Sequence, residues 1–198
     1  EVLDVDRYAI DGESADAVVA VREISLDGVP ASQRNWVNDH TNYTHGYGFV
    51  AAYGNRKTQE GDPIFFSGGL SDSTAAGDFE PRVYFGENSP IYSVVGDVEG
   101  ATPREFDIPD DDAAGGNRTY TYTGEGGVPV GSFPRKAAYA LKYRELNFLL
   151  SEFVNSESKI LDHRTPVERV ERVAPWLTLD GNVYLAVVDG RIQWIVDA

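Results

Sequence analysis

The 198-residue chain contains no cysteine and no methionine. The lack of cysteine excludes thiol nucleophiles, cysteine-ligated metals and disulfide bridges as the basis of any function. The missing initiator methionine, together with a first segment that has the composition of a β-strand, indicates a piece of a longer protein. Any chemistry in this chain must therefore use oxygen and nitrogen side chains.

A long hydrophobic run is also missing. No apolar segment approaches the roughly 20 residues that cross a bilayer as a helix, and the first residues lack the basic start and apolar stretch of a signal peptide. We therefore expect this chain to be soluble, with any membrane attachment supplied by sequence outside it.

Basic residues are few. Lys and Arg total 17 against 32 Asp and Glu, which gives a formal net charge of −15. Proteins that bind the phosphate backbone carry a basic patch, so we expect no nucleic acid as a partner. Residues 97–125 hold eight acids and two arginines, which indicates either a solvated surface or cation binding.

The common catalytic motifs do not occur. The sequence has no GxSxG nucleophile elbow and no HExxH zinc motif. The glycine-rich loop at residues 124–132 precedes a predicted helix, but it has Ser132 where a P-loop has lysine, so a plain turn is the favoured interpretation. A Ser-His-Asp set assembled only in three dimensions stays open.

The pattern of strands and turns predicts an α+β fold with a mostly antiparallel sheet, one long helix and a C-terminal β-hairpin. The helix is predicted over residues 133–154. The hairpin is predicted over residues 183–196, because Asp189-Gly190 suits a type I′ turn. Its expected pairs are Val187 with Ile192, Leu185 with Trp194 and Val183 with Val196. The chain length fits a single domain or domain fragment over residues 1–198.

The predicted helix is apolar on two sides. One row consists of Tyr139, Tyr143, Leu146, Leu150 and Phe153. The second row, nearly opposite, consists of Ala137, Leu141 and Phe148. Such a helix either lies between two layers of its own fold or presents its second row to another part of a longer protein or to a partner chain.

Residues 34–48, read as RNWVNDHTNYTHGYG, gather aromatic, imidazole and glycine residues that composition does not demand. The candidates for ligand binding are Trp36, Asp39, His40, Tyr43, His45 and Tyr47. Imidazole nitrogens also bind zinc and similar metals, but on a strand the two histidines would point to opposite faces. The alternative is a hydrogen-bonded polar core or a cleft wall.

Four aspartates suit a calcium site in a loop bounded by proline and glycine: Asp107, Asp110, Asp111 and Asp112. Calcium takes about six to eight oxygen ligands. The alternating ligand positions and the closing glutamate of an EF-hand are missing, so a solvated acidic loop is the alternative. The sequence implies no other cofactor.

Five more segments accompany the run at residues 34–48. They are DVDRY at 4–8, PRVYFGE at 81–87, SKIL at 158–161, ERVERVAPWLTLDG at 168–181 and DGRIQWIVDA at 189–198. With them the chain resembles the UPF0182 family along nearly its whole length. The resemblance implies a large bacterial integral membrane protein in which hydrophobic spans precede a long extracytoplasmic region. It implies no activity, because none is established for the family.

The leading hypothesis is a non-catalytic extracytoplasmic segment at the bacterial cell membrane, for recognition or scaffolding. Its partners would be the membrane part of its own chain, or an envelope protein or ligand. The second hypothesis is a cell-envelope hydrolase or transferase with His40 or His45 as base. That reaction needs a cleft in which an imidazole meets a carboxylate and a hydroxyl. The third hypothesis is a calcium-stabilised binding module.

Overall fold

The computed structural model describes residues 3–10, 12–68, 73–74, 77–109 and 117–198. The strands are β1 Asp4–Ile10, β2 Glu13–Val21, β3 Gly46–Tyr47, β4 Phe49–Lys57, β5 Pro63–Gly68, β6 Ser73–Thr74, β7 Gly77–Asp78, β8 Arg82–Val83, β9 Tyr92–Val95, β10 Glu105–Pro109, β11 Asn117–Tyr120, β12 Val128–Pro129, β13 Lys159–Asp162, β14 Val183–Val188 and β15 Arg191–Val196. The α-helices are α1 Phe133–Tyr143, α2 Asn147–Leu150 and α3 Pro166–Val173. Two 3-10 turns, Leu26–Gly28 and Ala31–Gln33, precede a π-helical turn at Asn38–Asn42.

The predicted α+β class with one long helix is wrong. Of the described residues, 38% lie in strands and 20% in helices, and the strands form several small sheets. The helix predicted over residues 133–154 is divided into α1 and α2, with Arg144 between them in a left-handed conformation at φ 54°. Within the described part of the chain, no helix has the length and apolar composition needed to cross a membrane.

The break at Arg144 brings Phe148 to the aromatic side of α1. At roughly 100° per residue, a continuous helix would place Phe148 about 140° from Tyr143 and about 180° from Tyr139. Instead, the ring centroid of Phe148 lies 6.0 Å from Tyr143 and 5.9 Å from Tyr139. Complete burial of this ring contributes about 1.5–3 kcal/mol, which offsets the about 1–2 kcal/mol that a left-handed arginine costs.

The described contacts form two compact units. The first contains Glu1–Glu23, Gly46–Glu87 and Thr165–Ala198. Its main sheet has the order β1-β2-β4-β5, with antiparallel neighbours throughout. Because side chains alternate along a strand, one face of β2 supplies Val19 and Val21 to the core, where they join Phe49 of β4.

The C-terminal hairpin lies in this first unit, and its predicted register is confirmed. All three predicted pairs occur between β14 and β15. Asp189 and Gly190 have φ angles of 51° and 70°, as a type I′ turn requires.

The second unit contains Ile24–His45 and Asn88–Arg164. It has a three-stranded antiparallel sheet of order β12-β13-β9 and the ribbon β10-β11. Its apolar core consists of Tyr92, Val94, Val130, Ala140, Phe148, Val154 and Ile160. Most of the candidate residues in the 34–48 run belong to this unit.

Candidate functional site

Trp36 and His40 pack into the aromatic core of the second unit. The indole Nε1 of Trp36 donates a 2.9 Å hydrogen bond to the hydroxyl of Tyr92. The His40 ring stacks on the Tyr92 ring with 4.0 Å between centroids, and its Nδ1 lies 3.0 Å from the Tyr92 carbonyl oxygen. Phe148 completes the cluster, with its ring centroid 5.8 Å from that of Trp36. These two partly buried candidates therefore pack against the aromatic core of the second unit.

Burial shifts the pKa values of both partners in this stack. Burial raises the pKa of Tyr92 to about 12, so its hydroxyl keeps its hydrogen at neutral pH. Burial also lowers the pKa of His40 below its ordinary value, although the Tyr92 carbonyl and Asp39 oppose the shift. The folded protein therefore favours the neutral imidazole.

Replacing His40 with Asn is expected to make stability less sensitive to mild acid. In the wild type, the unfolded chain binds a proton at His40 more readily than the folded chain. The His40 contribution is thus complete above the unfolded pKa of about 6.5 and is lost as pH falls below it. Asn keeps a donor near the Nδ1 position but does not titrate. Urea denaturation at pH 7.5, 6.5 and 5.5 tests this, and a difference between the two proteins that does not change with pH would refute it.

The other candidates in the run have separate partners. Arg34 Nε donates to both carboxylate oxygens of Asp39, each at 2.9 Å. The hydroxyl of Tyr43 donates to Gln33 Oε1 at 3.2 Å. Tyr47 is buried in β3, within the first unit. Within the second unit, Asp39 and Tyr43 thus have hydrogen-bond partners different from those of Trp36 and His40.

The glycines of the run have a packing role. A Cβ atom at Gly46 would lie 1.9 Å from the carbonyl oxygen of Arg22, so no other residue fits this backbone approach. Gly48 has φ 106°, which an L side chain rarely adopts. Backbone geometry thus accounts for two residues that gave the run its distinctive sequence.

His45 lies in a buried polar network that we define as Thr44, His45, Glu105, Asp107 and Arg164. Its Nε2 is 2.9 Å from Asp107 Oδ1, and its Nδ1 is 2.9 Å from Thr44 Oγ1. The Thr44 hydroxyl donates to Glu105 Oε2 at 2.8 Å. The side chains of His45 and Asp107 are 0% and 1% exposed, so solvent does not reach them.

Both nitrogens of His45 have hydrogen-bond partners. The Thr44 hydroxyl, which contacts Nδ1, donates its own hydrogen to Glu105. An ionised carboxylate only accepts, so Nε2–H donates to Asp107.

Arg164 supplies a fixed positive charge to the network. It is 1% exposed, and its guanidinium donates to Ser93 Oγ and to the Thr44 carbonyl oxygen, each at 2.7 Å. Glu105 also accepts from the backbone N–H groups of Gly96 and Tyr122, at 3.1 and 2.9 Å. The Arg164 guanidinium is thus a buried charge with two hydrogen-bond acceptors, which limits the cost of removing it from water.

The hydrolase or transferase hypothesis needs an imidazole that contacts a carboxylate and a hydroxyl and that a substrate can reach. His45 has the contacts but is buried. His45 does contact both a carboxylate and a hydroxyl, as a general base needs. The arrangement is nevertheless buried, and the threonine hydroxyl is engaged by Glu105. His40 instead meets a backbone carbonyl.

The calcium hypothesis depends mostly on residues outside the described part of the chain. Asp110, Asp111 and Asp112 fall there, whereas Asp107 is bonded to His45 and lies 3.6 Å from Arg118 Nε. Within the described ranges, no group of three or more His, Asp or Glu side chains is placed to hold a metal ion.

Three members of the network were not among the residues predicted from the sequence: Thr44, Glu105 and Arg164. Thr44 is next to His45 in the sequence, and this proximity was the one feature that could have identified it as a network residue. Glu105 was hidden by the abundance of acids in residues 97–125. Arg164 lies in the charged segment Asp162-His163-Arg164, which reads as a solvated turn.

Comparison with known proteins gives a consistent assignment. The model of the family described as "Uncharacterised protein family (UPF0182)" matches residues 1–198. A UPF0182 protein of Arthrobacter sp. (strain FB24) is 52% identical, over 98% of this chain and 20% of the relative. UPF0182 proteins of Tropheryma whipplei (strain TW08/27) and Streptomyces coelicolor are 51% and 48% identical, over 98% and 99% of this chain.

These relatives are much longer than the chain. The chain spans about a fifth of the length of the curated relatives it matches, with 20% of the Tropheryma and 19% of the Streptomyces protein covered. No solved structure matches it. The full-length family match and the identities near one half show that this chain belongs to the uncharacterised protein family UPF0182.

Proposed function

We propose that this chain is a non-catalytic, extracytoplasmic recognition or scaffolding segment of a longer bacterial membrane protein, and that it docks through helix α1. The observation that carries the proposal is an exposed apolar row on α1. Phe133 and Leu141 are 73% and 80% exposed. With the half-buried Ala137 between them, they recur every four residues and share one face of the helix.

The two apolar rows predicted for one long helix do not persist as rows. Phe148 of the second row is fully buried in the core of its unit, whereas Leu141 faces solvent. Leu146 and Leu150 of the first row are also exposed. Exposed large apolar side chains are typical of interaction sites when they share one surface, as Phe133 and Leu141 do on α1, which supports a docking role for this helix.

The occupant we propose for this face is the remainder of the same polypeptide. The relatives are about five times longer than the chain, so most of each relative lies outside the matched region. Membrane attachment and extracytoplasmic placement follow from what the family resemblance implies. The buried His45 network supports the non-catalytic part, because a substrate cannot reach an imidazole with 0% exposure.

Cysteine labelling of the full-length protein in intact cells tests both placement and docking. The chain has no cysteine, so single cysteines at Leu141 and at the exposed Ser156 report on this segment, with the unmodified protein as background. A membrane-impermeant maleimide is expected to label Ser156→Cys and to spare Leu141→Cys. Labelling after denaturation in urea gives the maximum for each site.

Each outcome has a distinct meaning. If Ser156→Cys is labelled only after cell lysis, the extracytoplasmic placement is wrong. If both cysteines are labelled equally in intact cells, the docking of α1 is wrong. Protection of Leu141→Cys that disappears when the full-length protein is purified would assign the face to a separate envelope protein and contradict the intramolecular occupant.

A further inference from the structure

The face of the β1-β2-β4-β5 sheet opposite the core is unusually apolar. Across the four strands, Val5 pairs with Val18, Val18 with Ala52, and Ala52 with Phe65. These four side chains therefore form one continuous row on the face opposite the core. An antiparallel sheet with one buried face normally has polar residues on the other, so this apolar row indicates a surface that binds something.

Part of this face is concave. A groove of about 380 Å³ lies over β2, β4 and β5, with Val18, Ala20, Val50, Ala52 and Phe65 among its lining residues. Phe65 is 56% exposed, so a large part of its ring is available to a ligand. Pockets that bind small molecules fall in the range of roughly 300–1,000 Å³ and are mostly apolar, which this groove matches.

Among the described residues, the charged side chains that line the groove are both basic. They are Arg56 and Lys57, near the end of β4. This contrasts with the whole chain, in which 32 acids outnumber 17 basic residues. Arg56 lies over the Tyr53 ring at 4.5 Å and is 4.0 Å from Glu13. Lys57 has no side-chain partner among the residues described.

We propose that this groove binds an anionic single-chain amphiphile, with the alkyl chain on the apolar row and a carboxylate head at Arg56 and Lys57. The apolar surface provides burial for methylene groups. The guanidinium and the ammonium provide charge-assisted hydrogen bonds to the head group. A neutral or cationic head would meet the same chain-binding surface without these bonds. The site lies in the first unit and does not depend on the docking face of α1.

Competition binding with dodecanoate tests the proposal. The 198-residue chain is titrated with a fluorescent fatty acid, which is then displaced by dodecanoate, dodecyl maltoside or dodecyltrimethylammonium below their micelle concentrations. We expect dodecanoate to bind about tenfold or more tightly than the other two, the difference that two charge-assisted contacts provide. Circular dichroism of each protein confirms that the variants are folded.

Three variants separate the two parts of the site. Arg56→Glu and Lys57→Glu are expected to weaken dodecanoate binding by about tenfold and to leave dodecyl maltoside unchanged. Phe65→Ser is expected to weaken both ligands. Arg7→Glu, an exposed charge reversal outside the groove, is the matched control and should change neither.

Two results would overturn the proposal. Equal binding of the three amphiphiles, unaffected by Arg56→Glu, would show a merely apolar surface without head-group selection. Light scattering that detects a dimer at the concentrations used, abolished by Phe65→Ser, would instead assign the face to a second copy of the chain.

Discussion

Replacing Arg164 with Met is expected to lower the free energy of unfolding by about 3–5 kcal/mol, the range seen when one member of a buried charged set is removed. The guanidinium is 1% exposed and donates to Ser93 and to the Thr44 carbonyl. Methionine fills part of the space but cannot donate, so these oxygens lose charged donors. It also leaves Glu105 and Asp107 with one fewer buried positive charge in the network.

Urea denaturation followed by circular dichroism measures this effect. Arg172→Met is the matched control, because Arg172 is largely exposed and its contact with Glu168 is a surface pair within one helix. That change should cost less than about 0.5 kcal/mol. Arg164→Lys keeps the charge but not the forked geometry, so an intermediate loss is expected. A loss below about 1 kcal/mol for Arg164→Met would show that the network is not a major source of stability.

The importance of Arg164 also shows why the site was only partly predictable. The sequence drew attention to residues 34–48, because Trp, His and Gly residues in such density are uncommon. It could not tell that His45 would meet Glu105 and Asp107, some sixty residues away along the chain. In a chain with 32 acids, no pattern distinguishes the two carboxylates that a fold buries from those that remain in water.

The same limit explains the contrast between the hairpin and the helix. The β14-β15 hairpin was predictable to the residue because its register depends on local information, the Asp189-Gly190 turn and the alternation around it. The spacing of apolar residues also favoured one continuous helix over residues 133–154, but a tertiary contact overrides this local preference. Burial of Phe148 against Tyr92 and Tyr143 requires the chain to change direction at Arg144.

Replacing Phe148 with Ala is therefore expected to cost about 3–5 kcal/mol, as for other fully buried aromatic residues. The Phe148 ring contacts four aromatic side chains, Trp36, Tyr92, Tyr139 and Tyr143. Alanine leaves a cavity at their centre and removes the burial that offsets the left-handed Arg144. The loss should appear both as a lower urea midpoint and as a weaker near-ultraviolet circular dichroism signal from the aromatic cluster.

Phe133→Ala is the matched control for this prediction, since it deletes the same atoms from a ring that is 73% exposed on α1. We expect a change within about 0.5 kcal/mol in the 198-residue chain. If α1 docks in the full-length protein, Phe133→Ala should become destabilising there as well, because Phe133 would then be buried by its partner, whereas the cost of Phe148→Ala should stay the same. Equal losses for Phe148→Ala and Phe133→Ala in the 198-residue chain would mean that Phe148 does not hold the aromatic core together, and that the break at Arg144 has another cause.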